Sequence, residues 1–539
     1  MDEAAIKFQM KEVIAYFFTP CADADFYMCN NPQCKSIQKQ KKSTGYTNLK
    51  NHLRSCIGDN FLGIYDNLVK SSKDKGRLDS YGFINNREKE VYNIINWIVD
   101  RNQPISEVDN AVTRNMFKTK PICSKTLRKY ILALTPYVEK AIDEDLPDKF
   151  GLIFDGWTSA TMHYVAIFAS YTKDGMHKES LLAVAPLVNE EQLGAEQHIE
   201  FMHATLLLYR KTLDNVVVLI GDNCSTNKKI ADDTAIPLIG CASHRFNLAV
   251  NSWLEERPEY EQVLDAIHKL MVQLRQLKNA ARLRALTDLC AIKHSVTRWS
   301  SKYDMAQRYI KIEAAAKGIP QVEDLILTPR QRRTLDELNK HLSNFQSVTK
   351  SLQLKDMSTL QVREVFDGML EQDQYPEMKN YLSARADIVN NPDFESGLNK
   401  ILGNAHFSMT PSERDATSLL LNNRISGWGN AHDESKSESE NISYFEKIRK
   451  RKRCRLSDEQ VRYIDCSFCV ATSNTVERLF SACKHILTDQ RKHMSPIMFE
   501  ALIFLKVNQK FWDVSMVAMA MKKNQPRGVE RDLDMFYEQ

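Results

Sequence analysis

Two rhythms of apolar residues alternate along this chain. In KFGLIFDGWTS, HYVAIFASYTKDGMHKESLLAVAPL and VVVLI the apolar residues are largely β-branched or aromatic and stop abruptly at polar positions. That is the pattern of buried strands. In GAEQHIEFMHATLLLYR and SHRFNLAVNSWL they recur three and four apart, as on one face of a helix. Read in order from Lys149, the pattern predicts β-β-β-α-β-α-β-α, with Asp174-Gly175 as a hairpin turn between the second and third strands. Three antiparallel strands followed by alternating helices and strands predict a mixed sheet with helices on both faces. The first and fourth strands can then lie side by side and parallel. Asp155 ends the first apolar run and Asp222 the fourth, so two carboxylates would meet at neighbouring strand ends, where open sheets place ligand-binding residues.

Helical periodicity dominates elsewhere. It covers Arg87 to Asp145, in VYNIINWIV and TLRKYILALTPYVEKAI, and the highly charged stretch from Ser300 to Leu402. ATSNTVERLFSACKHILT predicts a helix capped by Asn474, with Val476, Leu479, Phe480, Cys483, Ile486 and Leu487 on one face. SPIMFEALIFLKVNQKFW predicts another, with Ser495 as cap and Pro496 at the first helical position. This helix is apolar nearly all round, so it must be buried or shared with a partner chain.

At 539 residues with 43% hydrophobic composition the chain is long enough for several domains, and its composition excludes wholesale disorder. No run of about 18 uncharged apolar residues and no charged-then-apolar N-terminal signal is present, which predicts a soluble intracellular protein without a membrane partner. The net charge of +4 is small for this length, so a polyanion partner must be argued from local clustering. One cluster, KIRKRKRCR from Lys447 to Arg455, follows an acidic, serine-rich stretch read as an exposed linker. It is expected to serve as a nuclear-import signal or a phosphate-contacting loop, with a merely solvated charged linker as the alternative.

Most of the twelve cysteines stand singly, as reduced thiols do, but the N-terminal group has ligand spacing. CNNPQC supplies Cys29 and Cys34, and HLRSC supplies His52 and Cys56 one turn apart on a short predicted helix. Four such ligands close a tetrahedral structural zinc site, whose metal supplies folding energy that so small a segment cannot draw from its core. Cys21 is a fifth candidate ligand.

Together, FDGWTS around Asp155, GDNCSTN around Asp222, CASHRFNLAV from Cys241, the Arg298-Trp299 pair and ATSNTVERLFSACKHILTDQRKHMSP around Glu477 resemble the hAT superfamily of DNA transposases. The Cys/His group is similar to that family's BED-type zinc finger. The resemblance runs from about Cys29 to about Asn508 and is weakest between Ser300 and Gln460. It implies an RNase H-like core interrupted by a large all-α insertion, with Asp155, Asp222 and Glu477 as an Asp-Asp-Glu triad holding Mg2+ or Mn2+. It further implies that Cys241, His244, Arg298 and Trp299 act on the DNA or its hairpin, and that residues 470–508 resemble the family's dimerisation region. Each residue also has a plainer reading. The two Asp sites are turns, Glu477 lies where a helix cap is natural, Trp299 is core, and Cys241 and His244 pack and hydrogen-bond near the site.

The expected organisation is therefore a zinc finger (1–60), a helical DNA-binding or dimerisation domain (61–147), the first part of the core (148–300), the insertion with its charged linker (301–460), and the rest of the core with the dimerisation region (461–539). The expected function is a nuclear cut-and-paste transposase, at least dimeric, that binds terminal repeats and target DNA, cleaves and rejoins strands. The alternative is a domesticated relative that binds DNA to regulate transcription without catalysis. A nuclease acting on RNA hybrids fits the finger and the insertion less well.

Overall fold

The computed structural model describes residues 10–21, 25–31, 34–41, 45–58, 61–62, 86–117, 119–159, 161–187, 193–295, 298–355, 357–371, 374–422, 463–487 and 494–523. The basic run Lys447–Arg455 and its acidic neighbour lie outside the described residues. The chain divides into two compact units, Met1–Asn93 and Ile94–Gln539.

In the first unit, helix α1 (Met10–Phe17) leads into an antiparallel sheet of β1 (Phe18–Pro20), β2 (Phe26–Cys29) and β3 (Ile37–Lys39), followed by helix α2 (Thr47–Ile57). Its core is a handful of side chains, among them Val13, Ile14, Phe18, Leu49 and Leu53. A cluster this small buries little apolar surface, and a bound metal is the usual supplement. The α1 helix carries no signal that the sequence pattern identified.

The second unit is built on a five-stranded mixed sheet. Its strands are β4 (Phe150–Ser159), β5 (Met162–Lys173), β6 (Met176–Pro186), β7 (Val216–Gly221) and β8 (Leu238–Gly240), in the order β6-β5-β4-β7-β8. The first three pair antiparallel, and β4–β7 and β7–β8 pair parallel. The β5–β6 hairpin turns at Asp174-Gly175, whose φ values of 55° and 70° are those a tight primed turn requires. Helices α3 (Asn86–Asp100) and α4 (Ser124–Asp145) precede the sheet in the chain, and α5 (Ala195–Leu208), α6 (Ser225–Thr234) and α7 (Ala242–Glu255) follow β6, β7 and β8 in turn, so the expected order of elements is the observed one. Every residue of β7 is buried, as a central parallel strand demands.

Beyond α7 the chain is wholly helical as far as Leu420 in the described residues, with α8 (Pro258–Leu274), α9 (Trp299–Lys317), α10 (Pro329–Leu352), α11 (Thr359–Leu370) and α12 (Pro392–Leu402) as the main pieces. The apolar faces of α8 to α11 close a core shared with α7, in which Trp253 and Phe345 meet at 5.1 Å between ring centroids. Thr328 caps α10 and Ser358 caps α11, each in a reciprocal capping box with the glutamine three residues on.

The chain then returns to the sheet. The Phe468 carbonyl accepts from Ser170 Oγ at 2.7 Å, and the Ala471 carbonyl accepts from the Ala242 N–H at 2.9 Å. Helix α13 (Asn474–Ile486) starts from this anchored segment. Val476, Leu479, Phe480, Cys483 and Ile486 are buried as expected. The cap, however, is Ser473: Asn474 lies inside the first turn, and its amide donates instead to the Leu352 carbonyl at 2.8 Å. Asn is a common capping residue, but here a buried carbonyl on the insertion offers it a partner that water cannot replace.

The apolar helix α14 (Pro496–Val507) begins at Ser495 and Pro496 as the pattern predicts, and packs against β6 and the long helix Ser124–Asp145. Most of its apolar surface, from Met498 to Leu505, is covered within the chain, while Ile497 and Val507 at its ends stay exposed. The helix Ser124–Asp145, expected in a separate domain, belongs to the same compact unit as the sheet. Asn508, fully buried at the end of α14, donates to the Leu181 carbonyl at 2.8 Å and accepts from the Leu181 N–H at 3.2 Å. β6 is an edge strand, and this amide stands in for the missing neighbour. Replacing Asn508 with Ala orphans two buried main-chain groups, and urea unfolding should show a loss of about 2 kcal/mol. A loss below about 0.5 kcal/mol would mean that the edge is satisfied otherwise.

Candidate functional site

Two groups of side chains stand out, one in each unit. In the first unit, Cys29 closes β2, Cys34 follows the turn after it, and α2 presents His52 and Cys56 one turn apart. Their ligand atoms all lie within 4.8 Å of one another. Cys29 Sγ is 4.0 Å from Cys56 Sγ, and Cys34 Sγ is 3.5 Å from His52 Nε2. Zn–S bonds of about 2.3 Å and Zn–N bonds of about 2.0–2.1 Å in a tetrahedron put ligand atoms roughly 3.5–3.8 Å apart, so the donor set fits zinc. Burial and the nearby Cys56 and Cys34 thiols push the Cys29 thiol up to about 11, a crowding that a dication would reverse. Cys21, at the end of β1, is not among the converging atoms.

In the second unit, the register Ile153↔Ile220 between β4 and β7 places Asp155 and Asp222, each two residues on, beside one another. Neighbouring strands lie about 4.8 Å apart, so the two carboxylates share one locality. Burial along β4 gives way at Asp155, where the strand emerges from the core. Asn223 packs against Gly240 so closely that an added Cβ there would stand 1.9 Å from its amide nitrogen, and its Nδ2 donates to the Ile388 carbonyl at 3.1 Å. The loop after Asp222 is thereby tied to the insertion.

The third carboxylate arrives on α13. Trp157, two residues beyond Asp155, meets Phe480 at 5.5 Å between ring centroids and so seats the helix on β4. Glu477 lies one turn ahead of Phe480 and borders the same cleft as Asp222, a cavity of about 300 Å³. Arg298 holds Glu477 by an ion pair of 2.5 Å. His244 Nδ1 lies 3.3 Å from Asp222 Oδ2. The three acids are not gathered as tightly as the Cys/His group, which is the cluster of such ligands that converges within 4.8 Å among the described residues.

The electrostatics show the strain of this arrangement. Burial first, then the charge of Asp222 and that of Glu477, push the Asp155 carboxyl up to about 7, against the Gly156 N–H at 2.8 Å and the His244 charge, which hold it down. The hydrogen bond with Asp222 raises His244 above its usual value, and burial opposes it. A half-buried, partly uncompensated set of carboxylates with hard oxygen donors is what a divalent cation would neutralise.

The remaining expected residues serve otherwise. Cys241 is fully buried, accepts from the Ser473 N–H at 3.4 Å, and is pushed up to about 11 by burial and then by Asp222. It is an inert thiol that pins the return segment. The Trp299 ring is 2% exposed and packs against Phe246 and Phe345, so it offers no open face to a nucleobase in this conformation. This is the packing expected of its plainer reading as a core residue, at the cleft wall. The sequence reading assigned nothing to Arg245, whose guanidinium pairs with Glu395 at 3.4 Å and donates to the Tyr381 and Ser383 carbonyls. This buried pair locks the helix that carries His244 to the insertion. An Arg directly after the motif His was visible, but nothing local marks its partner 150 residues away.

The motif residues carry the family resemblance unaided: no protein-family model matches the chain, and no curated protein matches it.

Two outcomes follow. Cys34→Ser in the full chain should lower bound zinc, measured by elemental mass spectrometry, from about one per chain to near none. Equal zinc in both proteins would remove the assignment. For Asp155, a folded value raised above the unfolded one means that ionisation opposes folding; the cost is absent below about pH 4 and complete above about pH 7. Without divalent metal, Asp155→Asn should therefore stabilise the protein at pH 8 by on the order of 1 kcal/mol, discounted for partial solvent screening, and by less at pH 5. Thermal unfolding at the two pH values measures this, and a gain that is the same at both would contradict it.

Proposed function

We propose that this chain is a metal-dependent DNA-cleaving and strand-joining enzyme of hAT transposase type, with an RNase H-like core and Asp155, Asp222 and Glu477 as its acidic triad. The observation that carries the reading is the parallel β4–β7 register, which sets Asp155 beside Asp222, with α13 bringing Glu477 to the same cleft. The strand order, with three antiparallel strands first and the next two parallel to the first, supports the RNase H-like core.

On this reading the three carboxylates would hold divalent magnesium or manganese, which would supply Lewis-acid chemistry for an in-line phosphodiester displacement. His244 orients Asp222 through its 3.3 Å contact and shares the charge of the cluster. Arg298 neutralises Glu477 and stands at the cleft mouth, 64% exposed, where its guanidinium can turn to a phosphate. The Cys3His group holds a structural zinc and forms a finger whose Lys39, Lys41 and Lys50 supply phosphate contacts. DNA is the partner, and the nucleus is the compartment where it would be met.

The decisive experiment incubates the purified chain with candidate terminal-repeat duplexes, in magnesium or manganese, and looks for cleaved ends. Asp155→Asn, Asp222→Asn and Glu477→Gln should each reduce cleavage by at least about a thousandfold while duplex affinity stays within about twofold, since the acids serve charge development and not binding. Cleavage surviving in any of the three would sink the triad. Specific duplex binding without cleavage by the unaltered chain would favour the regulator.

A further inference from the structure

The chain's net charge of +4 is not spread evenly. Between Lys269 and Lys311 stand ten lysines and arginines against two aspartates, Asp288 and Asp304, a balance of +8 that exceeds the charge of the whole protein. Most of this charge lies at the end of α8, on the helix Leu277–Leu286 and in the segment after it. Lys269, Arg275, Lys278, Arg282, Arg284 and Lys293 are all exposed. Among the described residues none of these six enters an ion pair, whereas elsewhere in the chain exposed cations are matched, as in Lys229–Asp233, Lys317–Glu313 and Arg385–Asp393.

A merely solvated helix face carries both signs, with acids three or four positions from bases. Here Lys278 and Arg282 are four apart and no acid lies three or four residues from either, so their repulsion stands unrelieved in the free chain. Leu277, 90% exposed, and Leu286, 54% exposed, flank them. The helix does not hang free, since Leu283 and Asn279 are buried against its neighbours and the Asn279 amide donates to the Gln273 carbonyl at 3.1 Å. The cations are thus presented on a fixed support. The chain leads from this helix to Arg298, Trp299 and Ser300, which line the acid cleft.

We propose that the surface carried by Lys269–Lys293 binds the phosphate backbone of a DNA duplex and feeds it toward the cleft that holds Asp222 and Glu477. This rests on the reading of the cleft as a DNA-processing site and adds a track outside the zinc finger and the triad. A row of exposed cations outside any ion pair, with Asp288 the single acid between Lys269 and Lys293, fits a regular polyanion, and binding gains from release of the condensed counterions.

The test is the salt dependence of duplex binding by the full chain, followed by fluorescence anisotropy with a labelled duplex of arbitrary sequence in the absence of magnesium. Lys278→Gln, Arg282→Gln and Arg284→Gln combined should make the slope of log affinity against log salt shallower by about 2.7, three contacts at about 0.9 each. The control combines Lys229→Gln, Lys317→Gln and Arg385→Gln, which removes the same net charge from paired cations and should leave the slope within about 0.5 of the parent. Matched melting curves establish that both variants fold. An unchanged slope in the first variant overturns the proposal, as it would if the patch served an acidic protein instead. Equal losses in both variants overturn it too, because bulk charge then suffices. The result is separable from catalysis: a shallower slope in a protein that never cleaves would support the track and refute the enzyme, and cleavage with an unchanged slope would do the reverse.

Discussion

The parallel register between β4 and β7 is the constraint on which the cleft depends. The side-chain period of a strand is two, so a slip of one residue would turn Asp155 or Asp222 to the opposite face of the sheet and part the two carboxylates. The register is held by burial, since every residue of β7 and the first five of β4 are inside. Gly151 tightens it further: a Cβ there would meet Val218 at 2.8 Å, so the strands approach at that point as only glycine allows. The core thus stabilises an arrangement that the acids themselves oppose, as the raised Asp155 carboxyl shows. Functional clusters are where local preference and fold are expected to disagree.

Around this fixed pair the rest of the unit acts as scaffolding for groups that arrive from far away. Trp157 and the Ser170–Phe468 hydrogen bond seat α13, Asn474 ties the same helix to the end of α10, and Arg245 with Glu395 ties α7 to the insertion. The insertion is therefore part of the cleft and not an appendage, since Thr349, Leu352 and Gln353 form one wall of it.

What the sequence reveals follows from the range over which each feature is decided. The Asp174-Gly175 turn, the strand runs ending at Asp155 and Asp222, and the ligand spacing of Cys29, Cys34, His52 and Cys56 are short-range patterns, and each is legible from its own neighbourhood. The convergence of Glu477 is not. Its position depends on a return path through buried main-chain bonds that no periodicity encodes, and only the motif resemblance pointed to it. Asn474 shows the converse, a residue whose local chemistry suggests a cap but whose amide is taken by the distant Leu352 carbonyl. The pairs Arg298–Glu477 and Arg245–Glu395 are invisible in one dimension, because two charged residues far apart look like any others.

The distance along the chain between Asp222 and Glu477 also bears on when the site can exist. During synthesis strands β4 to β8 and α7 can pack once they have emerged, but a chain halted within the insertion carries two acids and lacks the third. Closing so long a loop is slow relative to local helix and hairpin formation. Residues near Ile486 must therefore be made, and the helical insertion folded behind them, before the cleft is whole. On the proposed function, broken or unfinished copies would carry the basic surface and the finger without the completed acid cluster, and so would occupy DNA without cutting it.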